Sequence, residues 1–457
     1  MSGLLYLVFI NDLLYDLEKC NTKTGVFQIN SCCPSLADDI SCISTSPLSL
    51  QRMLDVCNQY SCKWRFSFNA KKSSIVQFSV NSREINLNYS WNIGSDLIPS
   101  SCTYSHLGIL LNSRFKSIDR TTSACRKGKN AYCAPKGISC KNTHPCALLR
   151  LYKSVVLPTV LYGCEMWTNL KSMDIQALNK FQHFIIKHIL DLKTVTRSDM
   201  CQSILGVYPI LSYIDQRKLY FLQKMCSLSN VYQTKKIFLY RLFSYLIDTE
   251  RKQYGFIPDI MNILFQYKLS EYILDFVLEG FFPSKQVWKN IVILAVQEHQ
   301  RSEWLIRISN DTDFIRFRNI HNEVEVARFW TKSSSAVEIR NSYMITKLIT
   351  EIPNNAQSIC EICNREYLDF YRHVCCNCTC RLWLEEALWV IITENFDLDV
   401  FLELSVCDEE ELYQILLGRL PETEMTSVDY KQFMMLCHTY IVQCLAQYNR
   451  ALRCASS

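Results

Sequence analysis

The spacing of apolar positions changes several times along this chain, and each change predicts a different element. An apolar run, Leu4-Leu5-Tyr6-Leu7-Val8-Phe9-Ile10, ends in the polar step Asn11-Asp12. Two short strands are predicted next, over 26–33 and 36–44, paired around a tight turn with Asp38 and Asp39 at its tip. Ser46 reads as an N-cap and Pro47 as the first helical residue, and Leu50, Met53, Leu54, Cys57 and Trp64 mark a helix that covers the strands. Residues 147–167 form a helical run that Pro158 kinks or breaks. Over 174–192 the period is amphipathic, with Ile175, Leu178, Phe181, Ile185 and Ile189 on one face and Lys180, His183 and Lys187 on the other. His183 and His188 read as surface or core residues, not ligands. Residues 232–353 are apolar and helical in period, with a break at Phe281-Phe282-Pro283, and no site is legible there.

Composition narrows the class. At 457 residues and 49% hydrophobic content the chain can bury substantial cores in roughly two to four domains. Only 11 glycines argue for helix-rich architecture. The opening run lacks a basic lead and stops too early for a membrane span, and 257–282 is interrupted by Asp259, Lys268, Glu271, Asp275 and Glu279. The expectation is therefore an intracellular protein, in nucleus or cytoplasm, with no membrane partner. The 24 cysteines then read as free thiols or packing residues, with Cys42, Cys57 and Cys62 in apolar patterns. Charge is regional: residues 111–200 hold 15 Lys or Arg against 5 Asp or Glu, so this stretch is basic while the chain as a whole is only +5. Such a field favours a polyanion, against the plainer reading of a solvated surface. Past Asn395 the sign reverses, with Asp397, Asp399, Glu403 and Asp408 to Glu411. Amphipathic stretches there, including 433–445, suit intramolecular docking or protein partners.

Adjacent carboxylates on a rigid turn can hold two divalent ions about 4 Å apart for nucleotidyl transfer, although Asp-Asp in a turn is more often solvated turn chemistry. The flanks favour the catalytic reading. Ile10-Asn11-Asp12-Leu13 stands upstream; Trp64-Arg65, Asn69, Lys72-Ser73, then Ile75, Gln77 and Phe78, and finally Tyr104 and Leu107-Gly108 stand downstream. This order resembles the palm of reverse transcriptases from non-long-terminal-repeat retrotransposons, the jockey-like and other LINE-type elements. The resemblance implies Mg²⁺ held by Asp38 and Asp39, an RNA template, a DNA primer, and a primer-gripping hairpin at Leu107-Gly108. Leu161-Tyr162-Gly163 before Trp167 is similar to the thumb that follows, whose helices would lie along the nucleic-acid backbone. The family uses three carboxylates and this sequence matches two, Asp12 not being the third. Met1 falls inside the matched segment, so the expectation is a truncated remnant with little or no polymerase activity.

A second constellation is Cys360-x2-Cys363-x9-His373-x4-Cys378, the spacing of a structural zinc site. It resembles the Cys-Cys-His-Cys knuckle near the C-terminus of the same retrotransposon proteins, where Leu382-Trp383-Leu384 and Leu388-Trp389 fit the following helix. Scattered thiols are the competing reading, and Cys375, Cys376 and Cys380 leave the fourth ligand open. Arg365, Arg372 and Arg381 would frame a basic surface, with Tyr367, Phe370 or Tyr371 stacking on bases or packing the knuckle. The whole predicts an α+β chain: a partial palm of antiparallel sheet and covering helices at 1–115, a basic thumb-like region at 116–232, a helical connector at 233–352, a zinc knuckle at 353–392 and an acidic helical tail at 393–457. Lys72, Lys180, Lys187 and Arg372 are the expected nucleic-acid contacts. The alternatives are a non-catalytic nucleic-acid-binding remnant and an inert product of a decayed element.

Overall fold

The computed structural model describes residues 3–20, 25–26, 29–79, 89–114, 117–134, 143–248, 254–352 and 357–455. It is mostly helical (66%) with small antiparallel sheets, a mixed α+β architecture. Contacts divide it into two compact units, each assembled from three stretches of chain: 1–124, 161–176 and 214–295, and 125–160, 177–213 and 296–457.

In the first unit the opening apolar run is a helix, Gly3–Cys20. Its residues Ile10, Leu13 and Leu17, spaced by three and four, are buried against Met53, Cys57 and Tyr60 of the Pro47–Trp64 helix. That second helix begins at Pro47 as expected, but the Ser46 side chain makes no capping bond. Leu54 joins a different cluster with Ala70, Trp91 and Ile98.

The strands expected over 26–33 and 36–44 do not form one long ladder. Two separate hairpins occur there, Gly25–Val26 with Ile29–Asn30 and Ser35–Leu36 with Asp39–Ile40. The reason lies in Cys32 and Cys33, which are both buried and send their thiols to the Leu17 and Leu14 carbonyls. Two consecutive inward side chains break the period of two that a continuous strand requires. Beyond its strands the second hairpin is extended by Ser41 N–H to Pro34 O at 3.0 Å and Ile43 N–H to Cys32 O at 2.6 Å. All five sheets among the described residues are antiparallel pairs of strands, so the antiparallel sheet expected over 1–115 is present there as separate hairpins.

In the second unit, Pro158 acts as the sequence suggests. The Pro145–Leu151 helix widens into a π-turn at Tyr152–Val156 and resumes as Leu157–Val160, the local remedy for a residue that cannot donate back to the preceding turn. Of the amphipathic Ser172–Ile189 helix, Leu178, Phe181, Ile185 and Ile189 are buried, while Lys180 is exposed. The Ser427–Ala455 helix organises the C-terminal part, packing on Ala336–Thr350, Phe370–Cys376, Leu382–Asn395 and Glu409–Leu417. Tyr430, Met434, Cys437, Ile441, Cys444 and Tyr448, alternately four and three apart, are buried along it. Of the two roles expected for 433–445, intramolecular docking or a protein partner, this packing shows the first. No helix among the described residues is long and apolar enough to cross a membrane.

Candidate metal centre and acidic hairpin

Asp38 and Asp39 are exposed at the tip of a tight hairpin, where Leu36 pairs with Asp39 and Ala37 takes a left-handed φ of 52°. Beside this hairpin stands another, Thr103–His106 with Ile109–Asn112, turning at Leu107-Gly108. His106 Nε2 lies 3.4 Å from Ser41 Oγ, and Ser41 shares a strand face with Asp39. The Tyr162 hydroxyl donates to Leu107 O at 2.8 Å, and its ring lies 3.3 Å from where a Gly108 Cβ would stand. Trp64 packs edge-on to Phe9, with ring centroids 5.4 Å apart. Asn69 organises the turn before Lys72 and Ser73: its Oδ1 accepts the Lys72 N–H at 3.1 Å and its carbonyl the Ser73 hydroxyl at 3.0 Å. The sequence landmarks around the acidic pair are therefore gathered within one unit. Neither acid belongs to any group of three or more close potential metal ligands among the described residues.

The group that does converge is Cys360, Cys363, His373 and Cys378, whose ligand atoms all lie within 4.8 Å of one another. The Ser358–Ile359 and Glu366–Tyr367 strands pair as a short hairpin and carry Cys360 and Cys363 in its loop. Cys360 N–H bonds Arg365 O at 2.9 Å, Asn364 N–H bonds Cys360 O at 2.9 Å, and Asn364 closes the turn at φ 55°. His373 comes from the Phe370–Cys376 helix, which Asp369 caps by accepting from Tyr371 and Arg372 N–H. Cys378 follows at once, held by its N–H to His373 O at 2.8 Å.

Tetrahedral zinc with Zn–S near 2.3 Å and Zn–N near 2.0 Å sets sulfur–sulfur separations of about 3.8 Å and sulfur–nitrogen separations of about 3.5 Å. Cys360 and Cys378 sulfurs are 3.9 Å apart, and Cys363 Sγ is 3.3 Å from His373 Nε2. The donor set and spacing fit the ion, and the cluster can bind zinc. Burial pushes the Cys360 thiol up, but N–H groups of Cys363 and Ile362 and the Tyr448 hydroxyl outweigh it and leave it below the usual thiol range. Burial, with Arg365 and Arg381 nearby, lowers the His373 pKa and favours the neutral ring that ligates. The open question of the fourth ligand is answered by geometry: Cys378 joins the cluster, while the Cys375 carbonyl accepts the Tyr440 hydroxyl at 2.8 Å. The sequence missed Tyr448, whose hydroxyl is 3.7 Å from Cys360 Sγ.

The knuckle's cations are engaged internally. Arg372 reaches Glu410 at 2.8 Å, Arg365 donates to Asn377 O at 3.3 Å, and Arg381 bonds Glu385 and the Cys376 carbonyl. Arg316 joins Asp369 at 2.6 Å and Glu410 at 2.9 Å. Burial opposes its charge, yet Glu410 and Asp369 prevail and hold its proton more tightly than in free arginine. Tyr367 stacks on His373, with centroids 5.2 Å apart, and Phe370 packs on Tyr448.

The remaining expected contacts are distributed. Lys72 is exposed in the first unit; Lys180 is exposed and Lys187 half-buried in the second, where Lys187 Nζ donates to Thr194 O at 2.7 Å. A feature the sequence did not reveal lies near Lys180 on the same helix. Phe184 is 44% exposed and carries Lys129 Nζ 5.0 Å from its ring centre, with Arg126 and Lys127 exposed on the helix of Lys129. His188 stacks on Phe184, and Tyr132 OH lies 2.9 Å from His188 Nδ1. No family model matches this chain, and neither curated proteins nor solved structures include a match to it.

Proposed function

We propose that this chain is a remnant of an RNA-directed DNA polymerase of the non-long-terminal-repeat retrotransposon kind, with little or no polymerase activity alone. The observation that carries the reading is the contact between the acidic hairpin and the Leu107-Gly108 hairpin, His106 to Ser41, with Tyr162 fastened to Leu107. In that family Mg²⁺ supplies the Lewis acid that activates the primer hydroxyl and neutralises the leaving phosphate. Asp38 and Asp39 are the residues that would hold it. Metal affinity and positioning at that turn are each worth several kcal/mol of transition-state stabilisation. Extension of a primed RNA template in Mg²⁺, comparing this chain with its Asp38→Ala/Asp39→Ala variant, tests the reading. Weak incorporation that falls to background in the variant supports it; equal incorporation by both rejects catalysis through this turn.

The second reading is a non-catalytic nucleic-acid-binding remnant, favoured by the exposed Lys129–Phe184 pair and its neighbouring cations. A cation over an accessible ring suits phosphate and base together. Salt-sensitive binding with incorporation no higher than background selects this reading over one in which weak catalysis survives.

A further inference from the structure

The Leu382–Asn395 and Leu398–Val406 helices present to solvent a surface that combines apolar rows with one sign of charge. On the first helix Trp383, Ala387 and Ile391 make an exposed row four residues apart, beside a row that alternates Leu382, Glu386, Val390 and Glu394. On the second, Leu398, Leu402 and Val406 are 66%, 50% and 83% exposed at the same spacing. The Trp389 and Phe401 rings meet at 5.5 Å and fix one helix against the other. Buried Leu384, Leu388 and Ile392, with Val400 and Leu404, already supply the inward packing, so the outer rows are not needed for the core.

The charge says what kind of partner fits. From Leu382 to Gly418 there are 10 Asp or Glu and no Lys, Arg or His. Glu386, Glu394, Asp397 and Asp399 are exposed among the apolar positions, whereas Glu403 is taken up by the Glu422 and Thr423 N–H groups. Nucleic acid and anionic lipid are both repelled by such a surface. The row on the second helix spans about 12 Å, the length of two turns, which matches the i, i+4, i+7 anchors of a helical ligand.

We infer that this acidic, apolar surface docks an amphipathic helix of a partner protein, with Lys or Arg flanking its apolar stripe. Leu398, Leu402 and Val406 contact the stripe, and Asp397 and Asp399 on the same helix meet the flanking cations. The site is independent of the polymerase reading and of the metal cluster.

The test uses the full, zinc-loaded chain and a fluorescein-labelled peptide of about 18 residues, built from Leu and Lys with leucines at i, i+3, i+4 and i+7. Fluorescence anisotropy should show saturable binding that weakens several-fold between about 50 and about 300 mM salt. Leu402→Asp/Val406→Asp, at exposed positions, should weaken binding about tenfold while zinc content and circular dichroism stay unchanged. Because that variant adds negative charge, a loss isolates the apolar contribution. Equal binding of a scrambled Leu/Lys peptide with no apolar face overturns the proposal, as does unchanged binding by the variant. A dimer in sedimentation velocity that the same substitutions disperse assigns the surface to a second copy of this chain and also overturns it.

Discussion

A methyl group added at Gly128 would stand 2.2 Å from Val160 Cγ2 and 2.9 Å from Phe181 Cζ. Ala is the better helix former by about 1 kcal/mol, but the two neighbours belong to a packed core, so overpacking of about 1–3 kcal/mol should prevail. Gly128→Ala is expected to lower the urea midpoint; a raised midpoint would mean that these residues part without cost. At the metal cluster, Cys363→Ser should abolish stoichiometric zinc, measured by elemental analysis, and a chelator should lower the melting temperature of the native chain and leave that of the variant unmoved. Retained zinc in the variant would show that Cys380, next to the cluster in sequence, has replaced the ligand. These ligands were legible because Cys-x2-Cys and the later His and Cys are local spacings with a coordination rule behind them. Tyr448, 85 residues beyond Cys363, was hidden because a Tyr on a helix carries no local mark of what its hydroxyl will reach.

Among elements, the Phe370–Cys376 helix is tied to its surroundings by Arg316, which is 14% exposed and bridges Asp369 and Glu410. Arg316→Met would leave Asp369 buried without its cation, a loss of about 2–4 kcal/mol, partly recovered by adding Asp369→Asn. Denaturant melts of the two single variants and the double give the coupling, and strict additivity would deny the bridge. In the first unit, the Ile210–Ser227 helix places Asp215 where burial pushes its carboxyl up to about 6, against the opposing Tyr267 hydroxyl at 2.9 Å and Lys218, and with Asp259 adding to the rise. The folded state thus binds this proton more tightly than the unfolded chain does near pH 4, so this group's contribution to stability declines as pH rises from about 4 to about 6. Asp215→Asn should remove that decline and add about 1–2 kcal/mol at pH 7, since partial exposure screens the full shift. Thermal melts across pH 4 to 8 check it, and an unchanged slope refutes it. The helices over 47–64 and 172–189 were legible from their period. The strand over 26–33 was not, because Cys32 and Cys33 look the same in sequence whether they alternate or both turn inward.

Across the whole molecule, charge is the property that sequence conveyed best and side-chain pairing the one it conveyed least. The basic excess of residues 111–200 needs only counting. Which cations face solvent needs coordinates: Arg372, expected to meet nucleic acid, is half-buried against Glu410, whereas Arg126, Lys127, Lys129 and Lys180 are exposed. Phe184 did leave a trace, as an apolar residue falling outside the buried row of its own helix, but the Lys129 ammonium that covers it lies 55 residues earlier. If these groups form the binding surface, about four phosphate contacts predict a slope of roughly −3 in log affinity against log salt for a single-stranded ligand, at about −0.7 per contact. Lys129→Ala/Lys180→Ala should flatten the slope by about 1.4 on the same scale. Phe184→Ala should weaken binding by about 1 kcal/mol or more and leave the slope alone, because stacking releases no counterions. Anisotropy titrations of a labelled single strand over a salt series separate the two effects. A slope indifferent to the lysine substitutions would mean that polyanions, if bound at all, are bound elsewhere on the chain, and the basic count of 111–200 would then describe only a well-solvated surface.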